Sequence, residues 1–273
     1  MPELPEVESA RQVIQRLALD RRIADVDDSD SYVCRPHQPG EIRTALLGRR
    51  LTAVHRRGKS MWCDTSGAGR SRQPGPTLGI HLGMSGKTVF ADGRGQETDG
   101  GDYWDRGRAT GDLRFTRFAL RFTDGSALIL VDPRRLGRVR LDPPVEALGP
   151  DAREITRAEF RAMLARGTAP IKARLLDQDA IAGIGNLLAD EVLWRAKINP
   201  ARPVDELTGP EVDRLYRAQI AAVDAAVSGG GVHTLAVVPA RVPGGSCPRC
   251  GAPMLRGVVG GRTTWWCARE QAR

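Results

Sequence analysis

Three groups of residues in this 273-residue chain have types and spacings suited to chemistry. The first is the opening, MPELPEVE, from Met1 to Glu8. If Met1 is removed, Pro2 carries a secondary amine at the start of the chain. An α-amine loses its proton at about pH 8, far below lysine at about 10.4. A neutral fraction able to attack electrophilic carbon therefore exists at neutral pH. Glu3 stands beside it as a carboxylate able to move a proton. The second group is HRRGKS, where Lys59 follows Arg56, Arg57 and a bend at Gly58. Such a lysine can hold a phosphate and donate a proton, although basic runs are usually solvated faces. The third is Cys247, Cys250 and Cys267. The C-x-x-C spacing lets two thiolates reach one metal, and the last thiol follows after sixteen residues. Cys34 and Cys63 stand apart and read as buried or idle thiols. The odd total of five cysteines disfavours a disulfide framework.

Each group needs an element to hold it. Pro5 fits the first turn of a helix, with Glu6 and Glu8 favourable at its positive end. Val7, Ala10, Ile14, Leu17 and Ala18 recur at helical spacing. Taken alone, such a start usually means only a frayed end and a helix. Short apolar runs follow. Residues 51–64 read as strand with a break at Gly58, and 78–84 as another strand. Phe118, Leu120 and Phe122 alternate before an Asp124-Gly125 turn and the strand ALILV. Residues 65–77 and 91–112 are poor in apolar side chains and read as surface loops. Residues 142–154 are Pro-rich and mark a boundary. Beyond them the pattern is helical. Thr156 and Glu159 make a capping box, and a helix is expected near 171–176. Gly183 to Asn186 form a tight turn opening a helix to Ala196. Thr208, Pro210 and Glu211 cap a longer helix, whose face of Val212, Leu215, Tyr216, Ile220, Val223 and Val227 is broken only by Gln219. Gly229 to Gly231 end it.

Composition narrows the function classes. A hydrophobic share of 41% supports real cores. No run of about 18 apolar residues suits a membrane span, and no basic-then-apolar segment opens the chain; a cytoplasmic location is the expectation. The net charge of +8 and the pI of about 9.8 suit a polyanionic partner, with affinity that falls steeply with salt. HLGMSG, residues 81–86, sets flexible Met84 between two glycines, where it could wedge into a base stack. Amides at the N-terminus of the helix after Gly185 are suited to phosphate, and Asn186 adds a side-chain donor. No strand precedes that Gly-x-Gly turn, which argues against a nucleotide cofactor.

With these motifs in order from the first residue almost to the last, the chain resembles the formamidopyrimidine-DNA glycosylase (Fpg/Nei) family of base-excision repair enzymes. The resemblance implies an α+β fold. An N-terminal β-sandwich with flanking helices would occupy 1–141 and a linker 142–154. A helix–two-turn–helix domain would occupy 155–235, with DQDAIAGIGN at 177–186 as its signature, and a zinc-finger-like β-hairpin 236–273. It also implies a bifunctional glycosylase and AP lyase working in a cleft between domains. Pro2 would form a Schiff base, Glu3 would transfer protons, Lys59 would assist β-elimination and Arg262 δ-elimination. Met84, with Arg134, Arg135 and Leu136 of DPRRLG, would enter the duplex or contact the orphaned base. Lys172 and Asn186 would meet phosphates. One structural Zn²⁺ would be held by Cys247, Cys250, Cys267 and Glu270. The partner would be double-stranded DNA carrying oxidised bases or abasic sites, met by a monomer, with no membrane and no redox or nucleotide cofactor.

Three departures from the family's pattern stand out. Leu136 occupies a place where Phe is common, and Glu270 one where the family has a fourth cysteine. GGGVHTLAVVPARV replaces a GGTTLKD-like loop that closes over the flipped base. Two rival readings therefore accompany the first: a non-catalytic damaged-DNA-binding protein on the same scaffold, and an enzyme selective for oxidised pyrimidines.

Overall fold

The structure is a computed structural model, and it describes residues 2–67, 69, 73–101 and 113–272. The chain forms two compact units. The first comprises Glu6–Val145 with Pro2, the second Glu146–Arg273 with Glu3–Pro5.

In the first unit, α1 (Leu4–Leu17) is followed by β1 (Ile23–Asp27), α2 (Glu41–Leu46), β2 (Leu51–Arg57), β3 (Ser60–Thr65) and β4 (Leu78–His81). Then come β5 (Lys87–Ala91), β6 (Glu97–Gly101), β7 (Thr116–Phe122), β8 (Ala127–Val131) and β9 (Arg138–Leu141). They make a five-stranded sheet, β1-β7-β8-β5-β6, and a four-stranded sheet, β2-β3-β4-β9. Alternation decides which side chains go inside. Phe118, Leu120 and Phe122 of one sheet share a single buried cluster with Val54, Met61, Cys63, Ile80 and Val139 of the other. Val7, Ala10, Val13 and Ile14 of α1 and Ile42 and Leu46 of α2 join that cluster, so the unit is a β-sandwich with flanking helices. The expected loop over 91–112 is corrected in part: residues 97–101 pair with β5, Val89 opposite Asp99. The remainder of that stretch, 102–112, lies outside the described residues, as do 68 and 70–72 of the other expected loop and the question of Met1 removal.

One ion pair binds α1 to the strand leading to Lys59. Glu8 is buried and receives Arg11 Nη2 at 2.9 Å and Arg56 Nε at 3.0 Å. Burial pushes its carboxyl up, but the two guanidiniums hold it down at about 2, against an ordinary value of 4.5. Because the folded value is the lower one, the stabilisation is complete above pH 4.5 and is lost as pH falls toward about 2. After allowance for solvent screening it amounts to about 1–3 kcal/mol. Arg56→Met is expected to unfold at a higher pH than the parent in an acid titration followed by circular dichroism, while the two differ less in thermal stability as the acid limit is approached.

The second unit holds α3 (Arg157–Leu164), α4 (Ile171–Leu176), α5 (Asn186–Ala196), α6 (Gly209–Gly229), β10 (Met254–Val259) and β11 (Arg262–Cys267). Both expected capping boxes form, Thr156 with Glu159 and Thr208 with Glu211. Leu188, Val192 and Leu193 of α5 pack with Leu215, Ala222 and Val223 of α6 and with Phe160, Ile171 and Leu175. Gln219, polar on the apolar face of α6, is fully buried, and its Nε2 donates to Ala152 O. The hairpin turns at Gly260-Gly261, both with positive φ, and has its own cluster around Trp194, Met254, Trp265 and Cys267.

Candidate active site and nucleic-acid interface

The opening residues are fixed by Glu3. Its side chain is fully buried. Oε2 accepts from Gly185 N at 2.9 Å and Leu188 N at 3.1 Å, and Oε1 accepts from Leu187 N at 2.9 Å. Leu4 N donates to Gly183 O at 3.1 Å. A carboxylate at a helix N-terminus satisfies amides that have no partner within the helix and complements the dipole. Gly185 must lack a side chain here, because a Cβ would collide with the Glu3 carboxyl group. The expectation that the α5 amides await a phosphate is thereby corrected in part: the N-cap amide of Gly185 and the α5 amides of Leu187 and Leu188 hold an internal anion. Asn186 is the first residue of α5, and its Oδ1 is buried with no hydrogen-bond partner among the described residues. Pro2 is buried and one peptide bond from this clamp.

Lys59 sits at the tip of the β2–β3 hairpin, half-buried, after Gly58 with φ 60°. Glycine at the first position of a two-residue turn supplies that conformation. Beside this hairpin, Ser60, Met61, His81, Leu136, Arg138 and Arg140 line a cavity of about 290 Å³. His81 was not singled out as chemistry from the sequence. Burial, then Lys59 and Arg140, lower its pKa, so the neutral ring is favoured. Its Nδ1 accepts from Gly83 N at 3.0 Å, which places the proton on Nε2 as a donor.

Met84 and Leu136 are large apolar side chains left 37% and 38% exposed. Their loops are bound together by Asp132, which is fully buried. Its Oδ1 accepts from Ser85 Oγ at 2.6 Å and Arg134 N at 3.2 Å, and its Oδ2 from Gly137 N at 2.7 Å. Gly83, with φ 63°, packs directly on the Leu136 backbone, where a Cβ would collide. Arg135 takes a positive φ of 54° and makes a two-point contact with Asp30, at 3.0 and 2.8 Å. Arg134 is exposed. The two loops thus offer Arg134, Met84 and Leu136 outward, while Arg135, also exposed, is tied to Asp30. Asp132→Ala strips partners from two amides and a hydroxyl, each costing about 1–3 kcal/mol when buried. It is expected to speed hydrogen exchange over 82–86 and 132–137 and to weaken binding of an abasic-site duplex at least about tenfold, about 1.4 kcal/mol.

Lys172 is placed differently from expectation. It is 0% exposed. Nζ lies 2.6 Å from Asp190 Oδ1 and 2.8 Å from Thr264 Oγ1, which leaves no face for a phosphate. Asp190 Oδ2 accepts from Arg241 Nε at 2.8 Å and Trp265 N at 3.1 Å. Burial pulls Lys172 down and Asp190 up, each opposed by the partner's charge. The network joins α4, α5 and β11, and so fixes the hairpin whose exposed first β11 residue is Arg262. Removing one member of a buried pair costs about 3–5 kcal/mol by stranding the other. Asp190→Ala, which strands Lys172, should reach that range in urea titrations. Lys172→Met should cost less, about 1–3 kcal/mol, because Arg241 still meets Asp190.

Cys247, Cys250 and Cys267 come together: their sulfurs lie within 4.8 Å of one another, the group among the described residues that could hold a metal. Trp194 Nε1 donates to Cys247 Sγ at 3.3 Å, and Glu270 N to Cys267 Sγ at 3.3 Å. The expected fourth ligand is corrected. Glu270 Oε1 lies 2.9 Å from Lys197 Nζ and Oε2 lies 2.7 Å from Arg249 Nη1. The stretch after α6 packs inward, with Val232 and Leu235 buried and Val237 N donating to Glu191 at 2.8 Å.

Known proteins match both units. The formamidopyrimidine-DNA glycosylase N-terminal domain matches residues 1–139, and the formamidopyrimidine-DNA glycosylase H2TH domain matches residues 147–236. The formamidopyrimidine-DNA glycosylase of Salinispora arenicola is 33% identical over 301 aligned positions, spanning 100% of this chain and 97% of that one. That of Thermus thermophilus is 34% identical, spanning 98% and 97%. Lactococcus lactis Fpg bound to abasic-site DNA superposes with a TM-score of 0.79 at 25% identity, covering 99% and 100%. The same enzyme with FAPY-dG DNA also gives 0.79, at 26% identity. The sandwich, the helix–two-turn–helix unit and the cysteine-bearing hairpin define a DNA glycosylase with abasic-site lyase activity, acting in base-excision repair. Its partner is DNA. The chain belongs to the formamidopyrimidine-DNA glycosylase family.

Proposed function

We propose that this enzyme excises oxidised bases from duplex DNA by attack of the Pro2 nitrogen on the deoxyribose anomeric carbon, and then cuts the strand. The bond from that carbon to the base breaks, and the base leaves with the electron pair. Glu3 moves a proton as the sugar ring opens, giving a Schiff base between Pro2 and the sugar. Loss of a sugar C–H proton then expels the 3′ phosphate with help from Lys59. A second elimination, assisted by Arg262, expels the 5′ phosphate. A covalent intermediate splits one hard displacement into easier steps.

The observation that carries this reading is the Glu3 clamp. Three amide hydrogen bonds hold the residue next to Pro2, which removes the alternative of a frayed end. Nitrogen chemistry requires that Met1 be cleaved, so the intact mass of the mature protein is expected to lack it. Met84, Arg134 and Leu136 would fill the gap left by the extruded nucleotide. Asn186 would meet phosphate. Cys247, Cys250 and Cys267 would hold one structural Zn²⁺, which stabilises the hairpin bearing Arg262. The enzyme would work as a monomer in the cytoplasm.

The test is borohydride reduction of the protein with lesion duplexes, followed by mass spectrometry of the conjugate. A panel carrying oxidised purines and oxidised pyrimidines identifies the lesion class. Binding without any trapped conjugate would replace this reading by that of a damaged-DNA-binding protein.

A further inference from the structure

The hairpin's cysteine site has three protein ligands, and what fills the fourth position does not come from Glu270. A tetrahedral zinc with Zn–S bonds of about 2.3 Å sets its sulfurs about 3.8 Å apart. The three thiols already stand within 4.8 Å of one another, with Cys250 and Cys267 at 3.4 Å. The N–H donors from Trp194 and Glu270 to two of the sulfurs suit thiolates that carry charge. So the trio fits the metal.

Glu270 does not complete it. Both of its oxygens are taken, one by Lys197 and one by Arg249. The guanidinium is held by further contacts, and the lysine is fixed at its backbone. Arg249 lies over the Trp194 ring at 4.0 Å and donates through Nη2 to Trp194 O at 3.1 Å. Lys197 is the C-cap of α5, fixed with a positive φ of 55°. Turning the carboxylate to the sulfurs would break both ion pairs and leave the Arg249 guanidinium, stacked on Trp194, without its carboxylate. Among the described residues no other His, Cys, Asp or Glu joins the trio. Cys250 is the thiol of the three that reaches solvent.

We infer that this site holds its metal through Cys247, Cys250 and Cys267 alone, with an exchangeable exogenous ligand, hydroxide or a small thiolate, in the fourth position. The inference rests on reading the cysteines as a zinc site; it is independent of the lesion chemistry. Its consequence is a more labile metal than a four-cysteine site would hold, and a metal open to small thiols.

The test uses the full-length protein. Zinc content is measured first, and then the cobalt-substituted protein is titrated with 2-mercaptoethanol while the visible spectrum is recorded. Expected are one zinc per chain, sulfur-to-cobalt charge transfer of three-thiolate intensity, and a saturable spectral shift as the added thiolate enters. Glu270→Gln should keep both the zinc and the shift. Glu270→Cys should abolish the shift and slow zinc transfer to a chromogenic chelator at least tenfold. Loss of zinc or an altered cobalt spectrum in Glu270→Gln, with no thiol response in the parent, would make Glu270 a ligand and overturn the inference while leaving the zinc reading intact. Folded parent protein free of zinc, and unable to take up cobalt, would overturn both.

Discussion

Glu3→Ala is expected to lower stability by about 3–5 kcal/mol and to abolish strand cutting. The variant strips the partners from Gly185 N, Leu187 N and Leu188 N, which Glu3 now satisfies within 3.1 Å. Hydrogen bonds to a charged group contribute about 1.5–3 kcal/mol each, and a partly buried anion at a helix N-terminus up to about 2 kcal/mol. The contributions share one carboxylate and are not additive, which sets the range below their sum. Glu3→Gln keeps the shape, but its NH₂ group must face at least one N–H donor, so about half the loss is expected. Gly185→Ala gives an independent route to the same contact, since its Cβ displaces the carboxylate without touching its chemistry. The pair separates two roles. Proton transfer by Glu3 predicts that Glu3→Gln changes the shape of the pH–rate profile while Gly185→Ala lowers its height only. A Glu3→Ala protein with the parental urea midpoint would show that the clamp contributes nothing.

This contact also shows where sequence reading stops. Local signals were legible because each rests on neighbours in the chain. The two capping boxes formed as spelled, and the alternation at 118–122 with its Asp124-Gly125 turn became β7 and β8. The break at Gly58 became the hairpin tip that presents Lys59. Elements whose stability is tertiary were not legible. ETDGG of β6 contains no apolar side chain and is a strand because β5 offers it a ladder, which outweighs propensity. β1, α2 and β9 are likewise short, at five, six and four residues.

The same limit governs the side chains. Asp132 reads as the first residue of the DPRRLG loop but acts as the hub joining residues 85 and 137. Lys172 reads as a surface cation. Only the fold brings it to Asp190, eighteen positions on, and to Thr264. Glu270 reads as a substitute ligand because the sequence shows its place in the cysteine pattern and not Lys197 and Arg249. Gly185 is legible as a turn glycine, yet the reason for it is a carboxylate 182 residues earlier. In each case residue type fixes what a side chain can do, and long-range packing decides which of those things it does.

Blocking the Pro2 nitrogen should have the largest effect of any change to this protein. With an uncleaved N-terminal extension, that nitrogen is a tertiary amide with no basic lone pair. The borohydride-trapped conjugate with an abasic-site duplex is expected to fall at least about 10³-fold, about 4 kcal/mol of barrier. Binding to the same duplex should change far less, because phosphate contacts are made elsewhere. Lys59→Met should behave oppositely. The Schiff base still forms, but elimination slows by about 10²-fold or more, so the trapped conjugate accumulates while nicked product lags. The sign of the pH dependence follows from the nucleophile. An amine titrating at about pH 8 is attacking only when neutral, so the trapping rate should rise about tenfold per pH unit up to that point and then level. A lysine nucleophile would keep rising toward about pH 10. Peptide mapping separates the two without kinetics: the reduced sugar belongs on the peptide that begins at Pro2, and its recovery on a lysine-containing peptide from another part of the chain would remove Pro2 from the mechanism.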